Sequence, residues 1–376
     1  MTEYDESKEN LYSIALILTK GVGVKIAKRL VEYVGSPVAV LGKLDLLLRE
    51  GWINKVIADE IADPRYLVEA RAIVNDANKH QIKIISYTSE HYPSRLRECV
   101  DAPIVLFYRG QANLNVQRVV SIVGTRNLTE YGRRFIRALV GEMVAFDPSI
   151  LLVSGLAYGA DVEAHKSALK EGLPTVAVLA HGLDRVYPNA NRGTANKMLY
   201  SGGLLTEFTT GTEPERYNFV SRNRIVAGLS DVTIVIESAL KGGSLITADL
   251  ANDYNRECFA LPGDVFATYS KGCNNLIRLN KAHVLTCFQD VVDLMGWNNK
   301  GAEALVKPSV QRRLFPVEFS EEELVIVHLL EEKGEVNIDV IENLTEIDLA
   351  ELHTILFSLE MSGYIKASAG SSYSLA

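Results

Sequence analysis

From residue 118 onward the chain repeats one unit: a short apolar run, a turn, then a helical segment. The runs 119–123, 150–153, 175–179, 204–207, 232–236 and 258–261 read as buried strands. Segments 130–146, 160–171, 195–200, 222–228, 245–254 and 274–280 read as the helices between them, with a last strand–helix pair over 284–295. Unbroken runs of Val, Ile and Leu mark strands covered on both faces, and their alternation with helices predicts an α/β fold: an extended Rossmann-like, doubly wound, mostly parallel sheet. Ligands of such sheets sit outside the carboxyl ends of the strands.

The flanking segments differ in pattern. Residues 1–80 read as a small helical domain. In it Gly21-Val22-Gly23 leads into an amphipathic helix, which looks like a helix-hairpin-helix whose amides could hold a phosphate. A simple turn in a helix bundle accounts for the same residues. Short strands over 82–86 and 104–108 open the sheet domain, expected over 81–297. Pro308 and Pro316 mark 298–319 as a linker. Residues 320–376 give three helical segments and a small hairpin, the order of a winged-helix domain. Its third helix carries Glu351 and Glu360 but no lysine or arginine, so it suits a protein contact better than a DNA groove.

Composition narrows the function classes. With 47% hydrophobic and 23% charged residues the chain is an ordinary globular one. No apolar run approaches the roughly 18 residues of a membrane span, and the polar, acidic first ten residues do not resemble a secretory signal. Cys99, Cys258, Cys273 and Cys287 form no C-x-x-C pair, which argues against a metal site or disulfide framework and fits a reducing cytoplasm. The net charge of −8 is uneven. Residues 320–376 hold 12 acidic and 2 basic residues, leaving 37 basic against 35 acidic in the rest. A near-neutral body with local arginine clusters can still bind a polyanion.

The strongest cluster runs over 214–247. Arg216, Arg222 and Arg224 are interleaved with Tyr217 and Phe219 ahead of the strand 232–236; Asn223 lies between the last two arginines. Lys241-Gly242-Gly243-Ser244 and Thr247 follow the strand and open a helix. If the residues from Arg216 to Phe219 are irregular, the cation can meet a phosphate while the ring stacks on a base. After the first sheet strand, Gly124-Thr125-Arg126 offers an amide, a hydroxyl and a guanidinium at a helix N-terminus, which suits a phosphate, while the G-x-G-x-x-G dinucleotide fingerprint is missing. After the second strand, Gly155 and Gly159 flank Tyr158 and permit close backbone approach. Asp161 and His165, one helical turn apart, form a candidate acid–base pair but have no nucleophile beside them, and structural packing explains them as well. Glu207 and Glu237 end two strands, as catalytic carboxylates or as partners of nearby arginines.

Taken in order, Gly124-Thr125-Arg126, residues 154–161, Leu183-Asp184, Tyr187-Pro188, Asn218-Phe219, Arg222-Asn223-Arg224, residues 241–247, Leu261-Pro262-Gly263 and Gly272-Cys273-Asn274-Asn275 resemble the DNA-processing protein A (DprA/Smf) family. The resemblance covers most of the chain. It implies a bacterial cytoplasmic protein that binds single-stranded DNA entering during natural transformation, shields it, and loads a RecA-type recombinase onto it. It further implies a homodimer formed through the Rossmann-like domain, no cofactor and no catalysis. The family's phosphate-binding arginine falls on Arg126, with Thr125 where a serine is usual. Its cationic and aromatic DNA contacts fall on Arg216 and Phe219, and Tyr158 stands where an arginine is more frequent. Arg126→Ala or Arg224→Ala is expected to weaken binding alike for all sequences. The competing reading is a lysine-decarboxylase-like nucleotide phosphoribohydrolase with Glu207 or Glu237 acting on the ribosyl bond.

Overall fold

The computed structural model describes residues 6–298, 320–334, 336–345, 347–361, 364–368 and 372–375. Two units divide between Asn298 and Asn299. The expected linker therefore lies outside the described residues, apart from Asn298.

The first unit opens with helices α1 (Glu6–Leu18), α2 (Val24–Val34), α3 (Pro37–Gly42), α4 (Leu44–Arg49), α5 (Lys55–Ala62) and α6 (Pro64–Lys79). Proline at the first helical position, after an N-cap Ser36 or Asp63 whose side chain accepts an amide hydrogen, starts α3 and α6. The turn between α1 and α2 uses two of its amides internally: Val22 N–H donates to Thr19 O, and Lys20 N–H to the Tyr66 hydroxyl. The helices share their core with the sheet, since Leu30, Val31 and Leu47 belong to one buried cluster with Leu106, Val119 and Val176. Buried Lys28 fastens the two parts by donating to Cys99 O at 2.7 Å.

The sheet follows: β1 (Lys83–Ser86), α7 (Ser94–Arg97), β2 (Val105–Gly110), β3 (Val119–Gly124), α8 (Glu130–Phe146), β4 (Leu151–Ser154), α9 (Ala160–Glu171), β5 (Thr175–Val178), α10 (Arg192–Ser201), β6 (Gly203–Thr206), α11 (Arg216–Leu229), β7 (Val232–Ile236), α12 (Gly243–Asp253), β8 (Glu257–Ala260), α13 (Lys271–Arg278), β9 (His283–Val284) and α14 (Phe288–Leu294). Its nine strands lie in the order β1-β2-β6-β5-β4-β3-β7-β8-β9. All neighbours from β6 to β9 pair parallel; β2 runs antiparallel to β6 and to β1. Successive strand residues face opposite sides. Val119, Val123, Leu151, Val153 and Val235 join one core; Val120, Ile122, Leu152, Ile234 and Ile236 join the other, beneath residues of α8, α9 and α14. That double coverage bears out the α/β reading.

The second unit contains α15 (Glu321–Lys333), β10 (Val336–Asn337), α16 (Ile338–Thr345), α17 (Leu349–Met361), β11 (Ile365–Ser368) and β12 (Ser372–Leu375). Ser320 and Glu323 form a reciprocal capping box at the start of α15. The three strands make an antiparallel sheet in the order β10-β12-β11. Ile326, Leu330, Ile341, Leu352 and Leu356 give the unit a core of its own. Glu351 and Glu360 are exposed on α17. Among the described residues no helix is long and apolar enough to cross a membrane.

Candidate nucleic-acid interface

Strand order reverses at β3, with β4, β5 and β6 on one side and β7, β8 and β9 on the other. Loops leaving the carboxyl ends of β3 and β7 must diverge there, and a crevice opens between them. The structure has an open cleft of about 710 Å³ at this point, lined by the loops after β3, β4 and β7 and by one side of α11.

The β3 loop forms one wall. Gly124 pairs with Ile236 of β7, and a side chain there would collide with Ile236 O and Ala160. Its glycine is thus a matter of packing. Thr125 N–H donates to Glu237 O at 2.8 Å, and the Thr125 hydroxyl oxygen accepts from Asn127 N–H at 3.1 Å. This fixes the backbone and leaves Arg126 and Asn127 exposed.

The opposite wall is α11. It begins at Arg216, not at 222 as the sequence suggests, so the irregular stretch expected from Arg216 to Phe219 is a helical turn. Residues three apart on a helix are neighbours, so the cation and the ring stand side by side and both line the cleft. Arg126 reaches across, its guanidinium carbon 5.7 Å from the Phe219 ring centroid. The half-exposed Tyr187 ring also lies 5.7 Å from Phe219. Lys241 sits exposed on the third wall, ahead of Gly242 and Gly243, where α12 starts without a side-chain cap. The first amides of an uncapped helix are open to an anion. Arg126, Arg216 and Lys241 form no ion pair among the described residues.

Several expected contacts serve the protein's interior. Arg222 lines the floor, but it is 4% exposed and donates to Gly155 O at 2.7 Å and to Val178 O. Gly155 is a glycine because that guanidinium lies against it; the close approach comes from within. Asn223 lines the cleft and accepts from Arg222 Nε at 3.3 Å. Arg224 is a correction to the expected binding set. It is buried, donates to Asp101 O, and forms an ion pair with the largely enclosed carboxylate of Glu207. Ser244 and Thr247 are buried along the third wall, where Ser244 Oγ donates to Ser238 Oγ at 2.9 Å. Tyr158 is half exposed outside this cleft, in a smaller one beyond Arg126.

The candidate acid–base groups separate. Asp161 lies on the floor near Arg222; burial pushes its carboxyl up, and the arginine pulls against that. His165 is fully buried and faces Thr175 Oγ1 at 2.7 Å; burial, with Arg222 adding to it, pushes its imidazole down to about 3. Glu207 is held by Arg224, and Glu237 accepts from Thr129 N–H at 2.9 Å and from the Thr129 hydroxyl at the start of α8. Neither carboxylate lines the cleft. Tyr269 does, its hydroxyl accepting from Asn127 Nδ2 at 2.8 Å. It belongs to no motif that sequence reading could single out.

The family model described as DNA recombination-mediator protein A matches residues 83–296. The chain belongs to that family. Protein Smf of Synechocystis is 34% identical over 302 residues, which is 77% of this chain and 73% of that protein. Protein Smf of Escherichia coli is 31% identical over 310 residues, or 82% and 80%. The X-ray structure of DNA processing protein A from Streptococcus pneumoniae matches with a TM-score of 0.62 at 31% identity, covering 75% of this chain and 97% of its own. A Helicobacter pylori DNA processing protein A, described for its single-stranded DNA binding mode, matches with a TM-score of 0.52 at 29% identity, covering 58% and 97%. The resemblance read from the motifs and the Rossmann-like fold are thereby shown.

Proposed function

We propose that the chain binds single-stranded DNA in the switch-point cleft, without reading its sequence. The observation that carries this is the Arg126 guanidinium over the Phe219 ring, with Arg216 beside that ring on α11 and Lys241 on the third wall, neither of them in an ion pair among the described residues. Cations for phosphates beside aromatic faces for bases make a sequence-tolerant strand site. The H. pylori relative, described for single-stranded DNA binding, supports the same reading. Direct contacts fall to Gly124, Thr125, Arg126, Arg216, Phe219, Asn223, Lys241, Gly242 and Gly243, while Arg222, Gly155, Ser244 and Thr247 shape the floor and walls.

On family grounds we assign the bound strand to natural transformation and homologous recombination, where a RecA-type recombinase would be loaded onto it by a cytoplasmic homodimer. No cofactor or bond cleavage is part of this reading. The helix and strand order of residues 320–375 supports a winged-helix module, and its acidic surface suits a protein partner. The hydrolase alternative gains nothing from Glu207 and Glu237, both of which have internal partners away from the cleft.

Fluorescence anisotropy of labelled oligo-dT across a salt series tests the site. Each phosphate contact contributes a slope of about 0.7 in log K against log salt for single strands. Arg126→Ala should weaken binding and flatten the slope by about that much. Phe219→Ala should lose about 1–3 kcal/mol of binding free energy with the slope preserved. Wild-type affinity in both variants would overturn the assignment.

A further inference from the structure

We propose that the smaller cleft beyond Arg126 is a second single-strand subsite, carrying the nucleic acid on from the switch-point cleft along α9. This rests on the reading of the larger cleft just given. The second cleft measures about 520 Å³, and Arg126 and Asn127 line both, so the two meet at one ridge. A strand whose phosphate is held by Arg126 therefore leaves the first cleft directly into the second.

The chemistry of the second cleft repeats that of the first. Tyr158 is 49% exposed and has no hydrogen bond or ring contact among the described residues, which leaves a face for a base. Lys166, on α9, lines the cleft and is exposed and unpaired among the described residues. The carboxylate in the lining, Glu163, is buried and covered by two guanidinium groups, Arg133 Nη1 at 2.9 Å and Arg137 Nε at 2.8 Å. Arg133 also reaches the exposed Glu130 at 3.3 Å. These pairs neutralise one another and leave Arg126 and Lys166 for phosphates.

Tyr158 is carried on a loop that cannot drift from Arg126. Ala160 N–H donates to Thr125 O at 3.1 Å, and Asn191 Nδ2 holds Leu156 O at 2.8 Å. Gly159, at φ +77°, lies against the Thr125 and Arg126 carbonyls with no room for a side chain. Ring and guanidinium are thus presented as one preformed surface, which lowers the ordering cost of binding.

The test uses the full chain and two labelled oligo-dT probes, one of about 5 nucleotides to fill a single cleft and one of about 15 to span both. In Lys166→Glu and in Tyr158→Ala the ratio of long-probe to short-probe affinity should fall about tenfold, with the salt slope for the long probe flatter by roughly 0.7 in the lysine variant. Both side chains are exposed, and a thermal melt of each variant against the wild type checks that it folds. An unchanged ratio, or equal weakening of both probes, overturns the subsite. If Arg126→Ala and Phe219→Ala still lose affinity in that case, the larger cleft stands. If wild-type protein binds neither probe, the underlying reading fails as well.

Discussion

Arg222 and Arg224 show what neighbouring positions on a helix cannot share. Two residues apart on α11 they point about 160° away from one another, so only one can face the cleft. Arg222 does, while Arg224 meets Glu207 in a pair whose side chains are each 9% exposed. Removing one partner of a buried pair leaves the other charge stranded, a loss of about 3–5 kcal/mol. Arg224→Ala should therefore lower stability by that order in urea titration, while the fraction that stays folded keeps wild-type affinity for oligo-dT. A selective loss of affinity at unchanged stability would return Arg224 to the interface. The sequence shows three basic residues near an aromatic; it does not show that α11 is covered on both sides in its second half, which turns one of them into a core ion pair. Arg126 was legible because a residue just past a buried strand of such a sheet has to emerge at its carboxyl edge.

At the scale of elements, α9 favours the packing explanation of Asp161 and His165 over an acid–base couple. One turn apart, Asp161 lines the cleft while His165 does not and packs against Thr175 of β5. Thr175 donates to Leu152 O at 3.0 Å, so it accepts from His165 Nδ1–H, and the ring is neutral with its Nε2 buried and unpartnered. A neutral buried imidazole pushed down to about 3, against about 6.5 when unfolded, binds fewer protons in the folded state throughout that interval. Its contribution is fully present above pH of about 6.5 and is lost as pH falls towards 3, at about 1.4 kcal/mol per unit. His181, buried and also shifted down, acts in the same direction. Urea midpoints measured from pH 7 to pH 4 should fall steeply for the wild type and less for His165→Asn; identical slopes would refute the assignment. The limits of α11 were hidden for a related reason. Its first turn is largely exposed, so residues 216–221 lack the apolar spacing that reveals a helix.

For the molecule as a whole, strand and helix alternation gave the architecture, because buried parallel strands need unbroken apolar runs. Strand order was not legible. Nothing in residues 82–110 tells that β2 runs antiparallel between β1 and β6, or that β3 is the strand at which the order turns, since those choices follow from long-range pairing. The charge division, in contrast, is read directly from sequence and falls close to the boundary between the two units. Residues 320–376, with 12 acidic and 2 basic side chains, should repel a nucleic acid. A chain ending at Asn298, which retains the sheet and its cores, should bind oligo-dT at least as tightly as the full chain by anisotropy. Weaker binding would mean that the acidic unit contributes to the strand site.

The floor of the cleft has a further consequence. Arg222 has its charge disfavoured by burial and by the nearby Arg126, with Asp161 opposing both. An anion bound beside Arg222 and Arg126 would favour the charged form of both guanidinium groups. A ligand that binds this cleft in the folded chain alone should stabilise the fold by mass action, so the bound chain should resist proteases longer than the free one. In a cell, the lifetime of such a protein would follow the supply of the molecule it holds.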